Sequence, residues 1–107
     1  ILEAAKIAAA LSTAMIDNHQ ASYIAGQLYQ DLKDWQLAAY YHKKALLVNM
    51  DDITYQLALA KDYFFLRLYS KSLALLQKAD AMTDESSPQK QVIAQYIRQV
   101  NKQVVTN

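Results

Sequence analysis

Residues 19–52 read HQASYIAGQLYQDLKDWQLAAYYHKKALLVNMDD, and residues 53–86 read ITYQLALAKDYFFLRLYSKSLALLQKADAMTDES. Laid one over the other, the two stretches keep similar residue sizes in matched slots. Ala25-Gly26 and Tyr29 reappear as Leu59-Ala60 and Tyr63, and again as Ile93-Ala94 and Ile97. Trp35 reappears as Tyr69, Ala38 as Ser72 and Ala45 as Ala79, while Ala4 stands one period before Ala38. Each step is 34 residues. Small residues at matched slots let two helices approach closely, and an aromatic partner fills the wedge beside them.

Working outward from this repeat, helical spacing holds nearly everywhere. Leu2, Ala5, Ala9 and Leu11 to Met15 form a small-residue helix that ends before Asp17-Asn18. Ile24, Leu28, Trp35, Ala38, Tyr41, Ala45 and Val48 recur at three-and-four spacing, as an amphipathic helix pair requires. Leu57, Ala60, Tyr63 and Phe64, then Leu73, Leu76, Ala79 and Met82, repeat that layout, and Val92, Ile93, Tyr96, Ile97 and Val100 close it. Breaks fall at Asp17-Asn18, Lys33-Asp34, Asn49 to Asp52, Arg67 to Tyr69 and Asp84 to Pro88. Asp52 and Ser87 are candidate N-caps, because a short side-chain oxygen satisfies an orphan amide there. Pro88 then occupies a first helical position, where a missing N–H costs nothing. The pattern predicts about six helices with tight connections and no strand.

A helix–turn–helix period of this length resembles the tetratricopeptide repeat family. His19 to Asp52 carries the signature through Gly26, Tyr29, Ala38 and Ala45, and Ile53 to Ser86 through Ala60, Tyr63, Ser72 and Ala79. Departures are Ser22 and Gln56 for the signature Trp, Met50 and Asp84 for the signature Pro, and His42 against Leu76 in the large apolar slot. The resemblance implies an all-α, right-handed superhelix of stacked antiparallel helix pairs, forming one domain over 1–107. Within it, 1–18 would be the second helix of a truncated upstream repeat, 19–52 and 53–86 whole repeats, and 87–107 a polar capping helix. The start at Ile1 rather than Met fits a piece of a longer chain.

In that family the first helix of each unit lines a concave face that holds a partner's peptide. The resemblance places Tyr23, Gln27 and Gln30 on this face, then Leu57, Lys61, Phe64 and Phe65, then Gln95 and Arg98. Tyr, Phe and Gln offer flat apolar area with adaptable hydrogen bonds, which suits side-chain anchors on a peptide. The Lys, Arg and Asn clamp with which some members hold a terminal carboxylate is replaced here by Tyr23, Gln27, Ala58 and Val92. Phe64 and Phe65 point about a hundred degrees apart on a helix. Either one packs on the neighbouring unit while the other covers a seam, or at least one is an exposed anchor.

Charge and composition narrow the rest. The 107 residues are 53% hydrophobic, with 11 Lys+Arg against 10 Asp+Glu, enough apolar content for a core and too little net charge for a nucleic-acid field. Lys43-Lys44 beside Tyr40-Tyr41 points in several directions around one helix, so no nucleic-acid partner is expected. Lys90, Arg98 and Lys102 suit a solvated capping helix. Zero Cys excludes disulfides and thiolate chemistry, and no apolar run is long enough to span a membrane. His42 has Ala38, Ala39, Ala45 and Leu46 at helical spacing, so it reads as a packing residue with no second ligand. With no catalytic set, phosphate loop or metal motif, the expectation is a non-catalytic scaffold, adaptor or chaperone-like module binding a protein or peptide, without cofactor or metal. The alternative is a structural or oligomerisation segment that self-associates or docks through its first helix, at Ile1, Ala5, Ala8 and Ala9. A third reading is an accessory domain attached to an enzyme.

Overall fold

The computed structural model describes residues 2–14 and 18–106. Ile1, Met15 to Asp17 and Asn107 lie outside the described residues, as do the side chains of Ala8, of 11–14 and of 105–106; the expected break at Asp17 and part of the face expected on the first helix fall there. Six helices follow one another: α1 (Leu2–Ala14), α2 (His19–Asp31), α3 (Trp35–Val48), α4 (Ile53–Phe65), α5 (Tyr69–Ala81) and α6 (Pro88–Thr106). No strand occurs among the described residues, so the chain is all-α as the spacing predicts.

The helix ends repeat as faithfully as the helices. Asn18 Oδ1 accepts from Ala21 N at 2.9 Å and, one period later, Asp52 Oδ1 accepts from Tyr55 N at 3.1 Å. Ser87 Oγ accepts from Gln89 N, so both expected caps form. The α2–α3 and α4–α5 turns are copies of one another. Asp34 N donates to Tyr29 O at 2.9 Å and Leu68 N to Tyr63 O at 2.8 Å, closing each helix through a left-handed residue, Lys33 (φ 60°) and Arg67 (φ 62°).

Each helix packs mainly on its neighbours in the chain, and α2 also touches α4. The result is a slab of about 39 × 31 × 19 Å. Ala5, Ala9, Ala25, Tyr29 and Ala38 knit α1, α2 and α3, with Leu28 and Tyr41 packed against them. Ala60, Leu76 and Val100 knit α4, α5 and α6, flanked by Leu57, Phe64, Leu73 and Ile97. Ser72 takes a small-residue slot because its hydroxyl donates to Ala60 O at 2.7 Å. Gln56 and Lys90, polar residues one period apart, bind the chain just before their own helices. Gln56 Nε2 donates to Met50 O, and Lys90, one period on, donates to Asp80 O and pairs with Asp80 and Glu85. Partial desolvation would lower the Lys90 pKa, but those two acids outweigh it and raise it.

On α1 the buried face differs from the one expected to dock elsewhere. Ala5 and Ala9 are covered by the first core, because their small side chains admit α2 closely. Among the described side chains of that helix, the exposed large apolar residues are Leu2 and Ile7, at 48% and 60% exposure.

Candidate functional site

The helices α2, α4 and α6 line one open groove of about 350 Å³. Tyr23, Gln27 and Gln30 come from α2, Thr54, Leu57, Ala58 and Lys61 from α4, and Gln89, Val92 and Tyr96 from α6. Three-and-four spacing puts each set on one side of its helix. Of the residues named from sequence, Tyr23, Gln27, Gln30, Leu57 and Lys61 are therefore brought together. Gln95 and Arg98 are exposed on α6 and line neither this groove nor the cavity beside it. The helix begins at Pro88, one residue later than the period places it after Ile53, and its groove residues are displaced in the same sense. Gln89, Val92 and Tyr96 were missed for that reason.

Not every groove residue is free to meet a ligand. Gln30 Nε2 donates to Asp62 Oδ1 at 2.8 Å and to Ala58 O at 3.3 Å, tying α2 to α4. Tyr23 stacks on Tyr55 with centroids 5.0 Å apart and leans on His42. Burial first, and the nearby Asp52 charge second, raise the phenol pKa of Tyr23, and the same two causes with Tyr23 raise that of Tyr55. His19 Nδ1 lies 2.6 Å from Tyr55 Oη, fixing the far end of the stack. Gln27 Oε1 is out of solvent and has no hydrogen-bond partner among the described residues. Lys61 is exposed and supplies the groove's charge.

Phe64 and Phe65 face a second, half-open cavity of about 260 Å³, which shares Lys61 and Tyr96 with the groove. Phe64 is half-buried in the second core and meets Phe65 and Tyr69 edge-on. Phe65 is 49% exposed and stacks on Trp35 at 4.2 Å, with ring planes 11° apart. One ring thus serves the core while the other bridges the α2–α3 and α4–α5 turns.

Beneath the groove lies a contact that no local spacing predicts. His42 Nδ1 is 2.5 Å from Asp62 Oδ2, and neither side chain reaches solvent. The imidazole rests on Gly26, where any Cβ would overlap it. His42 Nε2 is buried without a partner among the described residues, and no substrate could reach it. The geometry is that of an inter-repeat fastener. The available signal was that both residues break the period, His42 against Leu76 and Asp62 against Leu28.

Among the described residues no cluster of three or more His, Cys, Asp or Glu could hold a metal ion. No described helix is long and apolar enough to cross a membrane. Comparison with known proteins finds no matching family model and no matching curated protein.

Proposed function

We propose that this chain is an interaction module of tetratricopeptide type, its helix pairs stacked in a right-handed superhelix, that holds a peptide segment of a partner protein. The groove of α2, α4 and α6 carries this reading, because flat apolar surface from Tyr23, Leu57, Val92 and Tyr96 is interleaved with amides and one cation. Such a mixture gives side-chain anchors and adaptable hydrogen bonds together. The stacked rings and the Gln30 bridges fix the floor beforehand, so ordering costs fall on the peptide. Binding is the whole of the activity, and the module works as a scaffold, adaptor or chaperone-like holder.

Selection of a displayed random-peptide library on the immobilised chain tests this. Recovered peptides should lose binding to a Leu57→Lys variant of unchanged helicity. Peptides that bind that variant equally well, or a selection that enriches nothing, would remove the groove reading.

The exposed Leu2 and Ile7 favour a second reading, in which α1 docks on further helices or on another copy. Light scattering across a concentration series separates the two. A mass that rises with concentration and falls back in Ile7→Lys supports docking through α1, and a constant monomer mass counts against self-association.

A further inference from the structure

The slot that His42 and Asp62 close in one inter-repeat interface is left open in the next. Their equivalents one period on are Leu76 and Tyr96, and beside them lies the half-open cavity of about 260 Å³. Its walls are Ala60, Leu76 and Val100, each no more than 2% exposed, and its mouth carries Lys61, Phe65 and Tyr96. Apolar cavities of about 150 Å³ admit a benzene ring, so this one has room for a ring and its stem. The wall hydroxyl of Ser72 is already spent on Ala60 O at 2.7 Å, leaving little for a polar head deep inside. Lys61 is the one charged residue lining the cavity, and no ion pair engages it among the described residues.

We propose that this cavity receives one aromatic side chain of the partner peptide, with an adjacent Asp or Glu of that peptide placed on the Lys61 ammonium. The proposal rests on the peptide-binding reading above and adds the residue pair that is recognised. The rings around the mouth give an entering phenyl edge-to-face contacts, and the cation selects the sign of the neighbouring charge. Because Lys61 is exposed, its share is modest, about threefold in affinity.

The probes are 4-phenylbutyrate, 4-phenylbutanol and 4-phenylbutylamine, titrated into the whole chain and followed by amide NMR shifts. The carboxylate should bind about threefold more tightly than the alcohol, with the amine weakest and the shifts centred on Ala60, Ser72 and Val100. Lys61→Glu, a change at an exposed position, should reverse the order of carboxylate and amine. Equal affinities for the three probes, or shifts centred elsewhere, overturn the proposal. In the peptide selection, an aromatic residue beside Asp or Glu should dominate, and Lys61→Glu should weaken those peptides. Peptides without that pair that respond only to Leu57→Lys leave the groove reading intact and overturn this one. Probes that bind while no peptide is recovered overturn the peptide as occupant and the groove reading with it.

Discussion

His42 of α3 and Asp62 of α4 meet at 2.5 Å in the dry seam between the two repeats, twenty residues apart in the chain. The other oxygen of Asp62 takes a hydrogen bond from Gln30 of α2, so one carboxylate fastens three helices. Three helices are held through one buried group. Desolvation offsets much of what such a pair gains, which makes it stronger as a register device than as a source of stability. The neighbouring interfaces lack the pair, since Leu28 stands at the Asp62 slot one period earlier, and Leu76 and Tyr96 stand at the two slots one period later.

Removing half of the fastener should cost far more than removing all of it. Asp62→Leu leaves His42 without its acceptor and Gln30 with Ala58 O alone, and is expected to cost about 3–5 kcal/mol. His42→Leu combined with Asp62→Leu restores apolar chemistry to both slots and should recover most of that loss. Urea denaturation of the two single variants and the double variant measures the coupling. A double variant as unstable as the sum of the singles would contradict the assignment.

Gly26 tests the same seam from below. A Cβ there overlaps the His42 ring, which is walled in on all sides. Gly26→Ala should therefore destabilise by about 1–3 kcal/mol through overpacking, although Ala alone would favour a helix by about 1 kcal/mol. In a His42→Ala background the sign should invert, because the methyl then enters vacated space. Thermal melts of the four-member cycle show whether it does.

These two residues also mark how far the sequence could be read. Helix ends were legible because Asp52, Ser87 and Pro88 act on the next few amides, and a local cause leaves a local pattern. The α2 and α4 sides of the groove were legible because the 34-residue period carries Tyr23 onto Leu57 and Gln27 onto Lys61. The α6 side was not, since that helix starts one residue off the period, and Gln95 and Arg98 gave way to Val92 and Tyr96. The His42–Asp62 and Trp35–Phe65 contacts join different repeats, so no spacing within one helix encodes them.

The repeated turns make a third prediction, because one copy lacks a part the other has. Asp34 caps α3 by accepting from Leu37 N at 3.2 Å, whereas Leu68, at φ −93° against −91°, caps α5 with no side-chain bond. Leu68→Asp should stabilise the chain by about 1 kcal/mol. An unchanged denaturation midpoint would mean the carboxylate does not reach the Lys71 amide in the first turn.

Lys33 and Arg67 hold left-handed backbone without being glycine, at φ 60° and 62°. The conformation costs an L-residue about 1–2 kcal/mol, and glycine gives back part of that gain by loosening the unfolded chain. Arg67→Gly should leave a net stabilisation of about 0.5 kcal/mol, while Arg67→Val should destabilise. Chemical denaturation of both variants checks the pair of signs.

High pH supplies the last test. The phenols of Tyr23, Tyr41, Tyr55 and Tyr63 have pKa values raised above 10.0, in each case chiefly by burial. The unfolded chain releases these protons more readily than the folded one, so below about pH 10 their contribution to stability is fully present. As pH rises through the raised folded-state values, that contribution is lost and the melting temperature should fall. Tyr23→Phe and Tyr41→Phe remove two of the ionising groups while keeping the rings that stack on Tyr55 and Tyr29. The double variant should melt with a shallower alkaline decline, and the ultraviolet tyrosinate titration of the parent should lag that of its urea-unfolded form. Coincident titrations of the folded and unfolded chain would show that burial does not hold these phenols protonated.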